Sequence, residues 1–259
     1  MKLKKKDFRH ALEIVNNYRK LIKPFHLKIK YNSIIPLNIF QTWHTKNLPE
    51  KMQQTVDYIK ESNPAFKHHL YDDNDCRDFI AQNYSQEVLL AFDSLIPGAY
   101  KADLWRYCIL YKLGGIYLDI KYKPINNFKF ISLTEKEHFV RDRPDKCIYN
   151  AFIACLPGNE ILLKAINQIV ENVKNKFYGI NALYPTGPGL LGSYFTNKEI
   201  AQLEMYFEVS FAENILHEYY IVYNNIIVLK AYSQYRLEQK NAQKNKVYSE
   251  LWFETNIYK

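Results

Sequence analysis

From Lys101 to Leu113 no Pro or Gly interrupts a run of good helix formers, and Gly114-Gly115 then supplies the positive-φ residue at which a helix can stop. Ile116-Tyr117-Leu118-Asp119-Ile120 follows, apolar except for one carboxylate, as in a buried strand whose acid sits where the strand leaves the core. Asp103 and Arg106 are three residues apart and share a helix face. If the glycine corner folds the strand back beside the helix, that face meets Asp119 at the strand's carboxyl end, where open α/β sheets bind their ligands. A plainer alternative stays open: Asp103 and Arg106 pair on a solvated helix, and Asp119 caps the next turn.

The rest of the chain has the elements of an α/β fold. A first strand after Pro36 ends at Gln41-Thr42-Trp43-His44, Pro49 opens a helix that Asn63-Pro64 closes, and Phe66 to Tyr71 reads as a second strand. Asp72-Asp73-Asn74-Asp75 resembles a metal cluster but reads better as a turn with a helix N-cap, and His68 and His69 point to opposite faces of their strand. A helix over Ser85 to Ser94 precedes the central one. Phe128 to Val140 is expected as strand-like, followed by a charged turn with Asp142 and Asp145, a strand from Tyr149 to Cys155 and an amphipathic helix through Ile161, Ala165 and Val173. Asn224-Asn225 lies between two apolar runs as the turn of a hairpin.

The 259 residues suffice for one large α/β domain, and no linker divides them. The expected organisation is a single domain over 1–259, with a basic helical arm at 1–30 and a tail at 230–259 packed on the domain. Leu12, Val15, Tyr18 and Ile22 predict an amphipathic helix over 8–22. A formal charge of +8 fits an anionic partner or a solvated lysine-rich surface. No zinc-finger spacing, Arg-rich arm or repeated aromatic and basic platform occurs, so nucleic acid is not expected as a partner. Cys76, Cys108, Cys147 and Cys155 are widely spaced, which reads as a reduced protein rather than a disulfide scaffold or zinc site. No apolar run approaches the ~20 residues of a membrane span, so a soluble, cytoplasmic protein is expected, its basic start offering at most a weak peripheral membrane contact.

Ala102-Asp103-Leu104-Trp105-Arg106-Tyr107, a short spacer, then Gly114-Gly115-Ile116-Tyr117-Leu118-Asp119 resembles the signature of the sugar transferases of glycosyltransferase family 32, relatives of the yeast initiating mannosyltransferase and of large clostridial glucosylating toxins. Ile35-Pro36-Leu37-Asn38-Ile39-Phe40-Gln41-Thr42-Trp43, Asn63-Pro64, Leu70-Tyr71-Asp72-Asp73 and Thr186-Gly187-Pro188 extend the resemblance over most of residues 35 to 195. It implies a GT-A type nucleotide-sugar-binding fold with a mixed, mainly parallel sheet between helices. It also implies transfer of a hexose from a UDP- or GDP-sugar to a hydroxyl of a glycan, lipid or protein, with retention of configuration. By the same resemblance Asp103 and Arg106 hold sugar hydroxyls beside Ala102 and Tyr117, and Asp119 contacts ribose or sugar and is the candidate metal ligand. Gln41 and Trp43 are implied to contact the nucleotide, Asn150 to face the sugar, and Gly187 to open a loop onto the site. Trp43 as a buried structural residue and Asn150 as a strand-edge hydrogen-bonding residue remain alternatives. His217 is a loose positional match to a metal-binding His, and the tail from Tyr232, with Tyr235-Arg236-Leu237-Glu238-Gln239 and Tyr248 to Tyr258, resembles the endings of family members of giant DNA viruses, for which the compartment is the host cytoplasm.

One departure bears on the chemistry. The family's Asp-x-Asp is Asp119-Ile120-Lys121 in this chain. The missing carboxylate would hold Mn²⁺ or Mg²⁺ on the diphosphate; a protonated lysine cannot ligate a cation, but it brings positive charge to much the same place. Two expectations follow: Lys121 takes over part of the metal's role, with Asp103, Arg106, Asp119 and Lys121 as the catalytic set, or the chain is a non-catalytic sugar-nucleotide or glycan-binding module.

Overall fold

The computed structural model describes residues 21–143, 146–211, 217–242 and 246–259, apart from the side chains of Ser210, Phe211 and His217. Nearly all of the helix expected over 8–22, together with Asp145 and the His217 side chain, lies outside the described residues.

Strand β1 (Asn38–Thr42) runs into helix α1 (Glu50–Ser62), which buries Met52, Val56 and Ile59. After strand β2 (Lys67–Tyr71), Asp72 caps helix α2 (Asp73–Asn83): its carboxylate accepts from the Asp75 amide at 2.9 Å, and its own amide donates to Asp75 at 3.1 Å. Helix α3 (Gln86–Ser94) leads to the central helix α4 (Gly98–Leu113) and strand β3 (Gly115–Leu118). Next come strands β4 (Tyr122–Pro124), β5 (His138–Arg141) and β6 (Ile148–Cys155), then helices α5 (Glu160–Lys174), α6 (Pro188–Gly192) and α7 (Asn197–Gln202). Strands β7 (Met205–Phe211), β8 (His217–Tyr223) and β9 (Ile226–Ala231) and helices α8 (Tyr235–Ala242) and α9 (Tyr248–Phe253) complete the described chain.

Among the described residues the strands form one sheet in the order β2-β1-β3-β6-β5-β7-β8-β9-β4. The sheet is mixed and flanked by helices as expected, but the expected predominance of parallel pairing is corrected. Only β1 with β2, β1 with β3 and β5 with β7 pair in parallel; the other neighbours are antiparallel. Connection length accounts for the two extremes. The β1 to β2 crossover contains a whole helix, as parallel pairing requires, whereas β8 and β9 are joined by Asn224 and Asn225 alone, at φ 50° and 58°, the left-handed pair of a two-residue hairpin.

Phe128 to Val140 is not a strand throughout. A 3₁₀ turn occupies Phe130–Leu133, and pairing begins only at His138. The turn is held from outside the segment: the Asn63 side chain accepts from the Phe130 amide at 2.9 Å, which lets Phe128, Phe130 and Leu133 all enter the core.

Strand alternation divides the core into two sides. Phe40 and Tyr117 face α4 and α5, while Ile39, Ile116 and Leu118 face Phe128, Phe130 and Phe152. Every residue of α4 from Asp103 to Leu110 is buried, which excludes the solvated-helix alternative for Asp103 and Arg106. The residues after β9 lie against the approach to this helix: Ile96 donates its amide to Ile257 at 3.0 Å, and Trp252 Nε1 donates to the Tyr178 carbonyl at 2.7 Å. All four cysteines are buried, and none of them is in a disulfide. No helix among the described residues is long and apolar enough to cross a membrane.

The corner between α4 and β3 needs both glycines. Gly115 has φ +111°, and a Cβ there would stand 2.9 Å from the Asn38 carbonyl oxygen of the neighbouring strand. The substitution Gly115→Ala is expected to cost about 2 to 4 kcal/mol through backbone strain and overpacking, measured as a loss of unfolding free energy in urea.

Candidate active site

The buried end of the site is built around Arg106. Its Nε donates to the Ala102 carbonyl at 3.1 Å and its Nη1 to the Asn150 carbonyl at 2.5 Å. Nη2 stands 3.3 Å from Asp103, Nη1 stands 3.6 Å from Asp119, and the guanidinium lies 4.2 Å from the centre of the Tyr117 ring. One cation thus joins α4, β6 and the end of β3. Burial opposes its charge, but Tyr117, Asp103 and Asp119 more than offset that and leave Arg106 more firmly protonated than usual.

Each carboxylate has its own supports. Asp103 accepts from Asn150 Nδ2 and from Thr186 Oγ1, both at 2.7 Å, and Asn150 Nδ2 also reaches the Tyr107 hydroxyl at 3.1 Å. Burial pushes Asp103 up to about 6, against the pull of Arg106 and of the Thr186 hydrogen bond. Asp119 accepts from Tyr117 Oη at 2.8 Å and from the Lys121 ammonium. Burial acts to raise it, but Lys121 and Arg106 prevail and hold it below its ordinary value. Lys121 is lowered by burial against the pull of Asp119, with Arg236 and Arg106 adding to the lowering.

Of the residues expected from the sequence, Ala102, Asp103, Arg106, Tyr117, Asp119, Lys121 and Asn150 come together, and Gly187 touches the group: a Cβ on it would stand 3.2 Å from Asp103 Oδ2. Asn150 bonds Asp103 by its side chain, so its role is not confined to the strand edge. Gln41 does not join them. It shares the strand face of Ile39, opposite to Tyr117, and its amide oxygen is bonded to His68 Nε2 at 2.7 Å. Trp43 packs with Met52, Val56, Ile120 and Tyr232, a structural placement beside the 119–121 segment, and its indole N–H has no partner among the described residues.

Thr186, Tyr107, Tyr149, Tyr235 and Arg236 are additions from the structure. Tyr107 is one helical turn beyond Asp103, a spacing visible in the sequence; for the others only the quoted Thr186-Gly187 and Tyr235-Arg236 segments gave a signal. The Lys121 ammonium lies 5.1, 5.6 and 5.8 Å from the ring centres of Tyr122, Tyr149 and Tyr235. A cleft of about 680 Å³ elsewhere, lined by Lys51, Tyr58, Lys123 and Lys230, contains none of these groups. The buried, mutually perturbed acids and bases single out the Arg106 cluster over that cleft as the place for chemistry.

The described residues do not fit a divalent ion in the Asp-x-Asp manner. An ammonium stands against Asp119 where a second carboxylate is required, and no group of three His, Cys, Asp or Glu among the described residues is arranged to hold an ion. Asp142, in the charged turn after β5, has its pKa raised by burial and accepts from the Arg143 amide.

Residues 49–140 match the family described as "Glycosyltransferase sugar-binding region containing DXD motif". The chain is 32% identical over 158 residues to the inositol phosphoceramide mannosyltransferase 3 of Schizosaccharomyces pombe, covering 61% of this chain and 44% of that protein. It is 36% identical over 91 residues to the initiation-specific alpha-1,6-mannosyltransferase of Candida albicans, covering 33% of this chain and 24% of the relative. The match therefore spans less than half the length of either. Among solved structures, the PaToxG glycosyltransferase superposes with a TM-score of 0.50 at 20% identity over 71% of this chain and 75% of the other, a likeness of fold. The fold is of the GT-A type.

Because the folded-state pKa of Asp103 is raised from 3.8 to about 6, the native state keeps a proton there that the unfolded chain has already lost. The associated stability is full below pH 4 and disappears as pH rises through 6. The unfolding free energy of the wild type relative to Asp103→Asn is expected to fall by roughly 2 to 3 kcal/mol between pH 4 and pH 6.5, read from urea denaturation at each pH.

Proposed function

We infer that this chain, whose residues 49–140 belong to the DXD-containing sugar-binding regions of glycosyltransferases, transfers a hexose from a nucleoside diphosphate sugar to a hydroxyl acceptor. The observation that carries the reading is the convergence of Asp103 and Arg106 on α4 with Asp119 after β3, inside the segment that matches the family. Mannose is the proposed hexose, supported by the names of the two relatives, with a GDP- or UDP-sugar as donor. A lipid-linked hydroxyl is the proposed acceptor, supported by the relative named for inositol phosphoceramide; glycan and protein hydroxyls are the alternatives.

The reaction leaves positive charge on the sugar carbon and places negative charge on the departing diphosphate. Asp103 and Arg106 hold each other in place and, with one carboxylate lone pair still open, orient a sugar hydroxyl at the buried end. Asp119 is more accessible, its side chain 23% exposed against 8% for Asp103, and it faces the donor. Lys121 neutralises the leaving diphosphate in the place of the family's second carboxylate and its cation.

A donor-hydrolysis assay on the full chain with GDP-mannose and UDP-glucose tests this. Turnover of one donor is expected, with Asp119→Asn lowering it by about 100-fold or more, the scale of losing one preorganised electrostatic group. Binding without turnover would instead make the chain a sugar-nucleotide-binding module. EDTA is expected to leave the rate unchanged, and complete dependence on added Mn²⁺ would remove Lys121 from its assigned role.

A further inference from the structure

We propose that Arg236, on the first turn of α8, is a second cation for the donor diphosphate and acts together with Lys121; this rests on the nucleotide-sugar reading above. The sequence motif provides one positive charge where a divalent ion would provide two, and a diphosphate carries at least two negative charges. Within the cluster, Arg106 and Lys121 are matched by Asp103 and Asp119. Arg236 is the surplus. Its partners are neutral, the Gln239 amide oxygen at 3.0 Å and the Tyr219 hydroxyl, and among the described residues no carboxylate lies within ion-pairing distance of it.

The two cations share one aromatic bed. Lys121 Nζ and the Arg236 guanidinium lie 5.8 and 5.7 Å from the centre of the same Tyr235 ring. A second path joins them: Lys121 is 5.6 Å from Tyr149, Tyr149 stacks on Phe207 at 4.2 Å, Phe207 stacks on Tyr219 at 6.0 Å, and Arg236 is 5.5 Å from Tyr219. Aromatic faces orient cations without neutralising them, so the charge of Arg236 stays available to an anion. The mutual repulsion of the two cations, felt as part of the lowering of Lys121, is relieved when an anion enters between them.

The backbone of α8 is fastened while the Arg236 side chain is exposed. Glu238 accepts from the amides of Lys51 and Met52 at 3.0 and 3.2 Å, at the start of α1, and from the Tyr232 hydroxyl at 2.8 Å. Tyr232 in turn donates its amide to the Lys121 carbonyl at 3.0 Å, which ties the helix to the end of the motif. Lys121, anchored on Asp119, keeps donors for the phosphate nearer the sugar, and the guanidinium fork of Arg236 suits two oxygens of a phosphate.

Calorimetric titration of the full chain with GDP, GMP and guanosine, and with UDP, UMP and uridine, tests the assignment in wild type, Arg236→Gln and Arg236→Lys. The expected result is a roughly tenfold loss in R236Q of the preference for diphosphate over nucleoside, the size of one charge-assisted hydrogen bond. R236K should retain part of that preference, nucleoside affinity and the thermal midpoint should be unchanged, and EDTA should have no effect. Diphosphate preference in wild type that R236Q retains in full would overturn the role of Arg236 and leave the donor reading intact. A preference abolished by EDTA and restored by Mn²⁺ would overturn the two-cation assignment. Wild-type protein that binds no nucleotide of either series would overturn the donor reading and this proposal with it.

Discussion

A guanidinium that cannot shed its proton is buried in the middle of this fold, and the arrangement around it follows from that. Removing a charge of this kind from water costs several kcal/mol unless it is paired and fully hydrogen-bonded. Arg106 meets the requirement with two backbone carbonyls, two carboxylates and a ring face, drawn from the central helix and from two strands of the sheet. Its partners need partners too: Asn150 and Thr186 complete Asp103, and Tyr117 and Lys121 complete Asp119. Positioned acids and bases near the end of β3 are the direct product of that chain of compensation.

The same arrangement grades accessibility. Asp103 and Arg106 are nearly sealed, whereas Lys121 and, more so, Asp119 are open to solvent at the rim. A ligand entering there meets the acid and the ammonium first and the locked pair last. Preorganisation of this sort is what transition-state stabilisation requires, because the polar groups need not reorganise as charge develops.

Local signals carried much of the structure in the sequence. The two-glycine corner, the Asp72 cap and the Asn224-Asn225 turn are each set by backbone preferences of a few adjacent residues, and each was legible for that reason. The 3₁₀ turn at Phe130 was not, since its amide is satisfied by Asn63, far back in the chain. Nor was the balance of parallel and antiparallel pairing, which depends on strand order rather than on any one strand. Strand alternation alone separates Gln41 from Phe40 and Tyr117, so its absence from the cluster could have been read from the sequence; that it pairs with His68 could not. Arg236 was hidden because its relation to Lys121 exists only after β9 returns beside β4.

The sheet order also has a covalent consequence. Strand β3 is third in the row and β4 is last, six neighbours away, yet only Asp119, Ile120 and Lys121 separate them in the chain. Six interstrand steps across a flat sheet would measure roughly 29 Å, while the four peptide links from Leu118 to Tyr122 reach at most about 14 Å. The sheet therefore has to roll until its far margin comes back to its middle. The short tether that enforces this is the segment bearing the acid and the ammonium, so the hollow in which they stand is imposed by chain connectivity as much as by packing.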